Sequence, residues 1–94
     1  MADIKCVRAR ITGVVQGVSF RYHTQETANL HGVNGWVRNM PDGSVEAVFQ
    51  GDPKAVRAVL DWCWIGPSFG RVDDVVIQDE PADEEFTSFR IAYS

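Results

Sequence analysis

The residues best suited to chemistry lie in Gly13-Val14-Val15-Gln16-Gly17-Val18-Ser19-Phe20-Arg21. Apolar strand-like residues run into a turn framed by glycines, and a helical pattern begins beside an arginine. The first N–H groups of a helix have no intrahelical acceptors, and amides of the preceding loop can turn inward beside them. One phosphoryl oxygen satisfies several such donors at once. Arg21 would add a charged, two-pronged grip. Val15, Gln16, Gly17, Val18, Ser19 and Phe20 would contribute mainly backbone amides, with Gln16 either meeting the ligand or holding the loop. Asn39 stands apart, just before the turn Met40-Pro41-Asp42-Gly43. Its amide can accept one hydrogen bond from water while donating another, so Asn39 either orients water for attack or serves the turn.

Other chemistries fit poorly. The glycines are not followed by Gly-Lys-Ser/Thr, so this is not a nucleotide-hydrolase loop, and the G-x-G-x-x-G fingerprint is absent. Ser19 is a nucleophile in principle, but no base and orienting partner stand beside it in the sequence. His23 has the better ionisation range for a general base, yet its place after Arg21 suggests a helix surface. Cys6 and Cys63 are too far apart for a local metal motif and read as free thiols rather than a disulfide. His23 and His31 do not make a zinc set. No cofactor and no metal are expected.

These residues need elements to place them. Val7, Ala9 and Ile11 alternate with Cys6, Arg8 and Arg10, which predicts a strand over about residues 4–12. A helix is expected from about 20 to 31, with Phe20, Thr24, Thr27, Ala28 and His31 on one face and Gly32 as terminator. Residues 34–40 and 44–50 form a hairpin around the Pro41-Asp42-Gly43 turn, with Val45, Ala47 and Phe49 on one face. Asp52-Pro53 opens a second helix as cap and first-turn residue. Val56, Val59, Leu60 and Cys63 give it an inward stripe, and Gly66-Pro67 stops it. Trp62 and Trp64 are expected in packing rather than in a ligand cleft. A strand follows around 72–77, then the acidic segment 79–85, read as a solvated loop. Phe89, Ile91 and Tyr93 alternate in a short terminal strand. The order β-α-β-β-α-β plus that strand predicts an α/β, ferredoxin-like split βαβ sandwich, an antiparallel sheet with two helices on one face.

Composition bounds the function. Ninety-four residues at 45% apolar fit one small domain over 1–94, too small to bury a large cofactor and keep a core. The net charge is −4, which disfavours a nucleic-acid backbone as partner. Residues 1–40 nevertheless carry a net +3 and residues 41–94 a net −7, a local positive excess compatible with a small anion held in one place, although Arg8 and Arg10 read as solvated strand residues. No run approaches the ~20 apolar residues of a membrane span. The N-terminus lacks the apolar core of a signal peptide, so a cytoplasmic setting is expected.

Two separated segments, Gly13 through Arg21 and Gly35-Trp36-Val37-Arg38-Asn39-Met40-Pro41-Asp42-Gly43-Ser44-Val45, together resemble the acylphosphatase family. The resemblance continues through Gln50-Gly51 and the terminal Phe89-Arg90-Ile91-Ala92-Tyr93 and covers essentially the whole chain. It implies a small α/β sandwich of five strands, usually monomeric, that hydrolyses small acyl phosphates to a carboxylate and inorganic phosphate. By that resemblance Val15 through Phe20 are the phosphate cradle, Arg21 the phosphate-binding catalytic arginine, and Asn39 the residue that positions water. Inorganic phosphate would be product and inhibitor. Ser19 departs from the aromatic or glycine frequent there, which would alter the mouth of the site. The acidic segment 79–85 would disfavour acidic acyl groups if it faced that mouth. The main alternative is a noncatalytic anion-binding module resembling the domain of a hydrogenase-maturation protein. The absence of an appended maturation domain favours the enzyme. An RNA-binding reading is weak for an acidic chain without a recognised arrangement of sheet aromatics.

Overall fold

Why strand alternates with helix is visible in where the apolar residues go. The computed structural model describes residues 3–93. In chain order it contains β1 (Lys5–Val14), α1 (Phe20–Leu30), β2 (Asn34–Asn39), β3 (Val45–Gly51), α2 (Pro53–Ile65), β4 (Arg71–Asp79) and β5 (Phe89–Ala92). Val7, Ala9 and Ile11 of β1 are buried, as are Val45, Ala47 and Phe49 of β3. These are the same-face sets the period of two predicts. Val7 pairs with Phe49, Ala9 with Ala47 and Ile11 with Val45, so the two sets form one continuous apolar patch.

Both helices cover that patch. The stripe Val56, Val59, Leu60 and Cys63 of α2 is buried, and so are Phe20, Thr24 and Ala28 of α1. The helices meet where Phe20 packs on Trp62, with ring centroids 5.3 Å apart, while Trp64 is half exposed. Buried Thr24 is satisfied by donating its hydroxyl proton to Phe20 O at 2.8 Å, so its burial leaves no orphan. His31 does not join the apolar face as expected. The helix ends at Leu30, and both Leu30 and His31 are exposed. Val33 N–H donates to Ala28 O and Gly32 N–H to Asn29 O, the paired bonds of a Schellman turn. Asp52 stands at the N-cap of α2, but its side chain makes no cap hydrogen bond. Both cysteines are free and buried. Burial pushes the Cys63 thiol up to about 12, so it stays protonated at neutral pH.

The strand order is β4-β1-β3-β2-β5. The β4/β1, β1/β3 and β3/β2 pairs are antiparallel, whereas β5 joins β2 in parallel. The sheet is therefore mixed: the expected antiparallel sandwich carries its short terminal strand as a parallel edge. Because β4 and β5 lie at opposite edges, residues 80–88 must cross the sheet. They do so in order: Glu80 N–H donates to Cys6 O, Gln50 Nε2 to Glu84 O, and Asn34 Nδ2 to Phe86 O. Gln50 Oε1 also accepts from Phe86 N–H at 2.9 Å. This fixes the acidic segment at the end of the sheet where β1 and β2 begin. Asp79 closes β4 rather than opening a loop, while the exposed residues 81–85 agree with a solvated loop, but not with a place at the mouth of the anion loop, which follows the other end of β1. The expected influence on acidic acyl groups is thus removed.

Candidate functional site

The anion loop leaves β1 through a bulge. The β1/β4 register shifts between Thr12 and Gly13. Gly13 has φ +130, and a Cβ there would lie 2.1 Å from Arg71 O. Only glycine permits that close passage of two backbones. The loop then curls through Gly17 at φ +76 and Ser19 at φ +63. Ser19 is the one non-glycine residue with positive φ among the described residues. Such a conformation costs roughly 1–2 kcal/mol for an L-residue and is found where the surrounding structure demands it.

What the curl achieves is a set of open donors. Ser19 is the N-cap of α1, yet its side chain makes no cap bond, and no acidic residue sits in the first turn. Among the described residues, no loop or cap hydrogen bond uses the amides of residues 16–22 as donors. The N-terminal end of α1 therefore presents unpaired N–H groups and the positive end of its dipole.

Arg21 adds full charge at the same place. It forms no ion pair among the described residues, in contrast to Arg8, Arg10, Arg38, Arg57 and Arg71. Arg8 meets Glu46 and Glu80 at 3.1 and 2.8 Å, Arg38 meets Glu46 at 2.7 Å, and Arg10 pairs with Asp42. The Arg21 guanidinium instead lies over the Tyr93 ring, 5.0 Å from its centroid. A cation over a ring face is held electrostatically, without using a carboxylate.

Asn39 ends β2 opposite Val45. Its Oδ1 is buried and has no hydrogen-bond partner among the described residues. A buried acceptor left unpaired costs about 1–3 kcal/mol, so this oxygen invites a donor such as water. The following turn is braced by hydrogen bonds. Asp42 Oδ1 accepts from Ser44 N–H at 2.9 Å and from the Ser44 hydroxyl at 2.6 Å. These bonds, with Arg10 beside them, pull the Asp42 carboxyl down to about 2.

Val15, Gly17, Ser19, Phe20, Arg21 and Asn39 line one cleft of about 440 Å³. Two expected site residues do not face it. Gln16 points to the β2–β3 turn, donating from Nε2 to Met40 O and Ser44 O, each at 2.8 Å. That geometry favours loop holding over ligand contact for this side chain. Val18 packs against the core. The cleft also includes Tyr22, Ile91 and Tyr93, which sequence reasoning left out of the site. The alternation of Phe89, Ile91 and Tyr93 held part of that signal, since all three share a face; the parallel pairing beside α1 did not show. Ser19 makes no side-chain hydrogen bond among the described residues, and His23 lies outside the cleft, 3.7 Å from Glu26. Neither a serine nucleophile with its base nor a histidine base is assembled here.

A larger groove, about 520 Å³, runs between α2 and β4. Its cations are already matched, Lys5 to Asp79 at 3.0 Å and Arg57 to Asp61 at 3.6 Å. The Arg21 cleft has the open amides and a cation without a carboxylate partner among the described residues, and is the better anion site.

Comparison with known proteins covers nearly the whole chain. The family model for acylphosphatase matches residues 7–91. An acylphosphatase of Syntrophus aciditrophicus is 48% identical over 90 residues, covering 96% of this chain and 94% of that protein. The crystal structure of acylphosphatase from Bacillus subtilis superposes with a TM-score of 0.91 at 32% identity, covering 97% of this chain and all of that one. Full-length HypF, in a phosphate- and nucleotide-bound form, contains a similar fold, with a TM-score of 0.87 at 22% identity over 12% of its length. With the family model spanning residues 7–91 and a relative 48% identical over 96% of this chain, the chain belongs to the acylphosphatase family.

Proposed function

We propose that the chain hydrolyses small acyl phosphates by direct attack of water on phosphorus. The observation that carries this reading is the convergence of open helix-terminal amides, Arg21 and the unpaired Asn39 oxygen on one cleft. The amides of the loop from Val15 to Phe20 and the Arg21 guanidinium hold the phosphoryl oxygens. Asn39 Oδ1 accepts a hydrogen bond from the attacking water and aims its oxygen. A bond forms from that oxygen to phosphorus as the bond from phosphorus to the acyl oxygen breaks. The carboxylate leaves with the electron pair, and the water proton passes to a phosphoryl oxygen.

This assignment of roles follows from the leaving group. A carboxylic acid has a pKa of about 4, so the departing carboxylate needs no general acid. The protein's task reduces to positioning and to stabilising charge on the phosphoryl oxygens. That suits a cleft lined by an amide, an arginine and backbone donors, with His23 outside it. No cluster of three or more His, Cys, Asp or Glu able to hold a metal occurs among the described residues. The positive charge facing the substrate is assigned to Arg21 and the dipole of α1, which meet at the cleft.

The test uses purified protein with acetyl phosphate and benzoyl phosphate. Turnover is expected for both, unchanged by a chelator, and inorganic phosphate should inhibit competitively. Loss of turnover on chelation that returns with metal would overturn the assignment of charge. Phosphate binding without any turnover would instead identify an anion-binding module.

A further inference from the structure

We infer that Gln16 is a positioning residue for the attacking water, tying the anion loop to the strand end that carries Asn39. This rests on the proposed role of Asn39. The Gln16 side chain leaves the loop and places Nε2 between Met40 O and Ser44 O, 2.8 Å from each. Its partners lie 24 and 28 residues along the chain, so the tie joins the loop to the β2–β3 turn. β1, which leads into the loop, pairs with β3 but not with β2, the strand that carries Asn39.

The turn does not need Gln16 for its own closure. Met40 O already accepts from Gly43 N–H at 3.1 Å, and Ser44 O from Met40 N–H at 2.8 Å. Each carbonyl has a second lone pair, and those are what Gln16 takes. Asp42 and Ser44 brace the turn independently. What Gln16 adds is a fixed separation between the loop amides, which hold phosphorus, and Asn39, the residue just before Met40. In-line attack depends on that separation, and a displacement of the order of 1 Å costs up to about a hundredfold in rate.

Gln16→Met keeps side-chain length and removes both donors. Its kcat is expected to fall about tenfold or more, through misplacement of the water. The Kd of inorganic phosphate, measured calorimetrically, should change by less than about threefold, because Arg21 and the first turn of α1 remain. In an Asn39→Ala background the same substitution should change kcat by less than about twofold, since the two residues act as one unit. An equal factor in both backgrounds, an unchanged kcat, or an equal loss in phosphate affinity would each overturn the inference. If Asn39→Ala alone keeps full turnover, the proposed role of Asn39 fails first. An additive cycle on a crippled Asn39→Ala protein sinks only the role of Gln16. Should Gln16→Met not fold, Gln16→Asn, one methylene too short to bridge both carbonyls, carries the same expectations.

Discussion

Arg21→Ala is expected to lower kcat/KM by about a thousandfold or more, since even a single preorganised donor to a developing oxyanion contributes about 10²–10³. Arg21 supplies both a full charge and a fork of donors. Phosphate affinity should fall with it. Charge-assisted hydrogen bonds contribute roughly 1.5–3 kcal/mol each, so losing two of them predicts weakening of about a hundredfold or more. The fold should survive. Arg21 has no carboxylate partner among the described residues, and its visible contact is the Tyr93 ring at 5.0 Å. Such an exposed cation–π contact contributes about 0.5–1 kcal/mol. Arg21→Lys should recover only part of the loss, because an ammonium restores charge without the planar fork. Thermal melts, phosphate titrations and steady-state rates on the folded variants check all three statements. Normal phosphate affinity in Arg21→Ala would remove the arginine from the clamp.

Asn39→Ala is expected to separate turnover from binding. Its kcat should fall about a hundredfold, in the range for loss of one oriented hydrogen-bonding group. Phosphate affinity should stay within about threefold, since the anion is held by the loop amides and Arg21. Stability should not fall. Asn39 Oδ1 has no protein hydrogen-bond partner among the described residues, so its loss breaks no internal hydrogen bond of the fold. The variant should melt close to the parent in thermal unfolding, and be far less active. Such a separation is expected where a site keeps a polar group for the substrate rather than for the fold. Retained turnover in a folded Asn39→Ala protein would sink its proposed role.

The residues that converge on the cleft were legible to different degrees, for physical reasons. The loop from Val15 to Arg21 is local: its glycines, the helix start and the arginine all follow from adjacent positions. The apolar faces of β1, β3 and α2 were equally legible, because a periodic stripe states directly what it buries. Asn39 could be placed before its turn from Pro41, Asp42 and Gly43. Its meeting with the loop could not be placed this way, since it depends on β1 and β2 both flanking β3. Tyr93 reaches Arg21 only because β5 pairs in parallel with β2, after residues 80–88 have crossed the sheet end. That crossing is organised by Gln50 and Asn34 through backbone carbonyls, and carbonyl partners leave no trace in residue type. The same holds for Gln16, whose glutamine fits either a ligand contact or a loop tie until its two acceptors are seen.

In the proposed mechanism the cleft holds the phosphoryl group and aims water at phosphorus. Hydrolysis of acetyl phosphate in ¹⁸O-enriched water, followed by mass analysis of both products, tests this most directly. Attack at phosphorus places one solvent oxygen in inorganic phosphate and none in acetate in a single turnover, and that is the predicted result. Solvent label in the acetate carboxylate would show attack at the carbonyl carbon and contradict the roles given to Arg21 and Asn39.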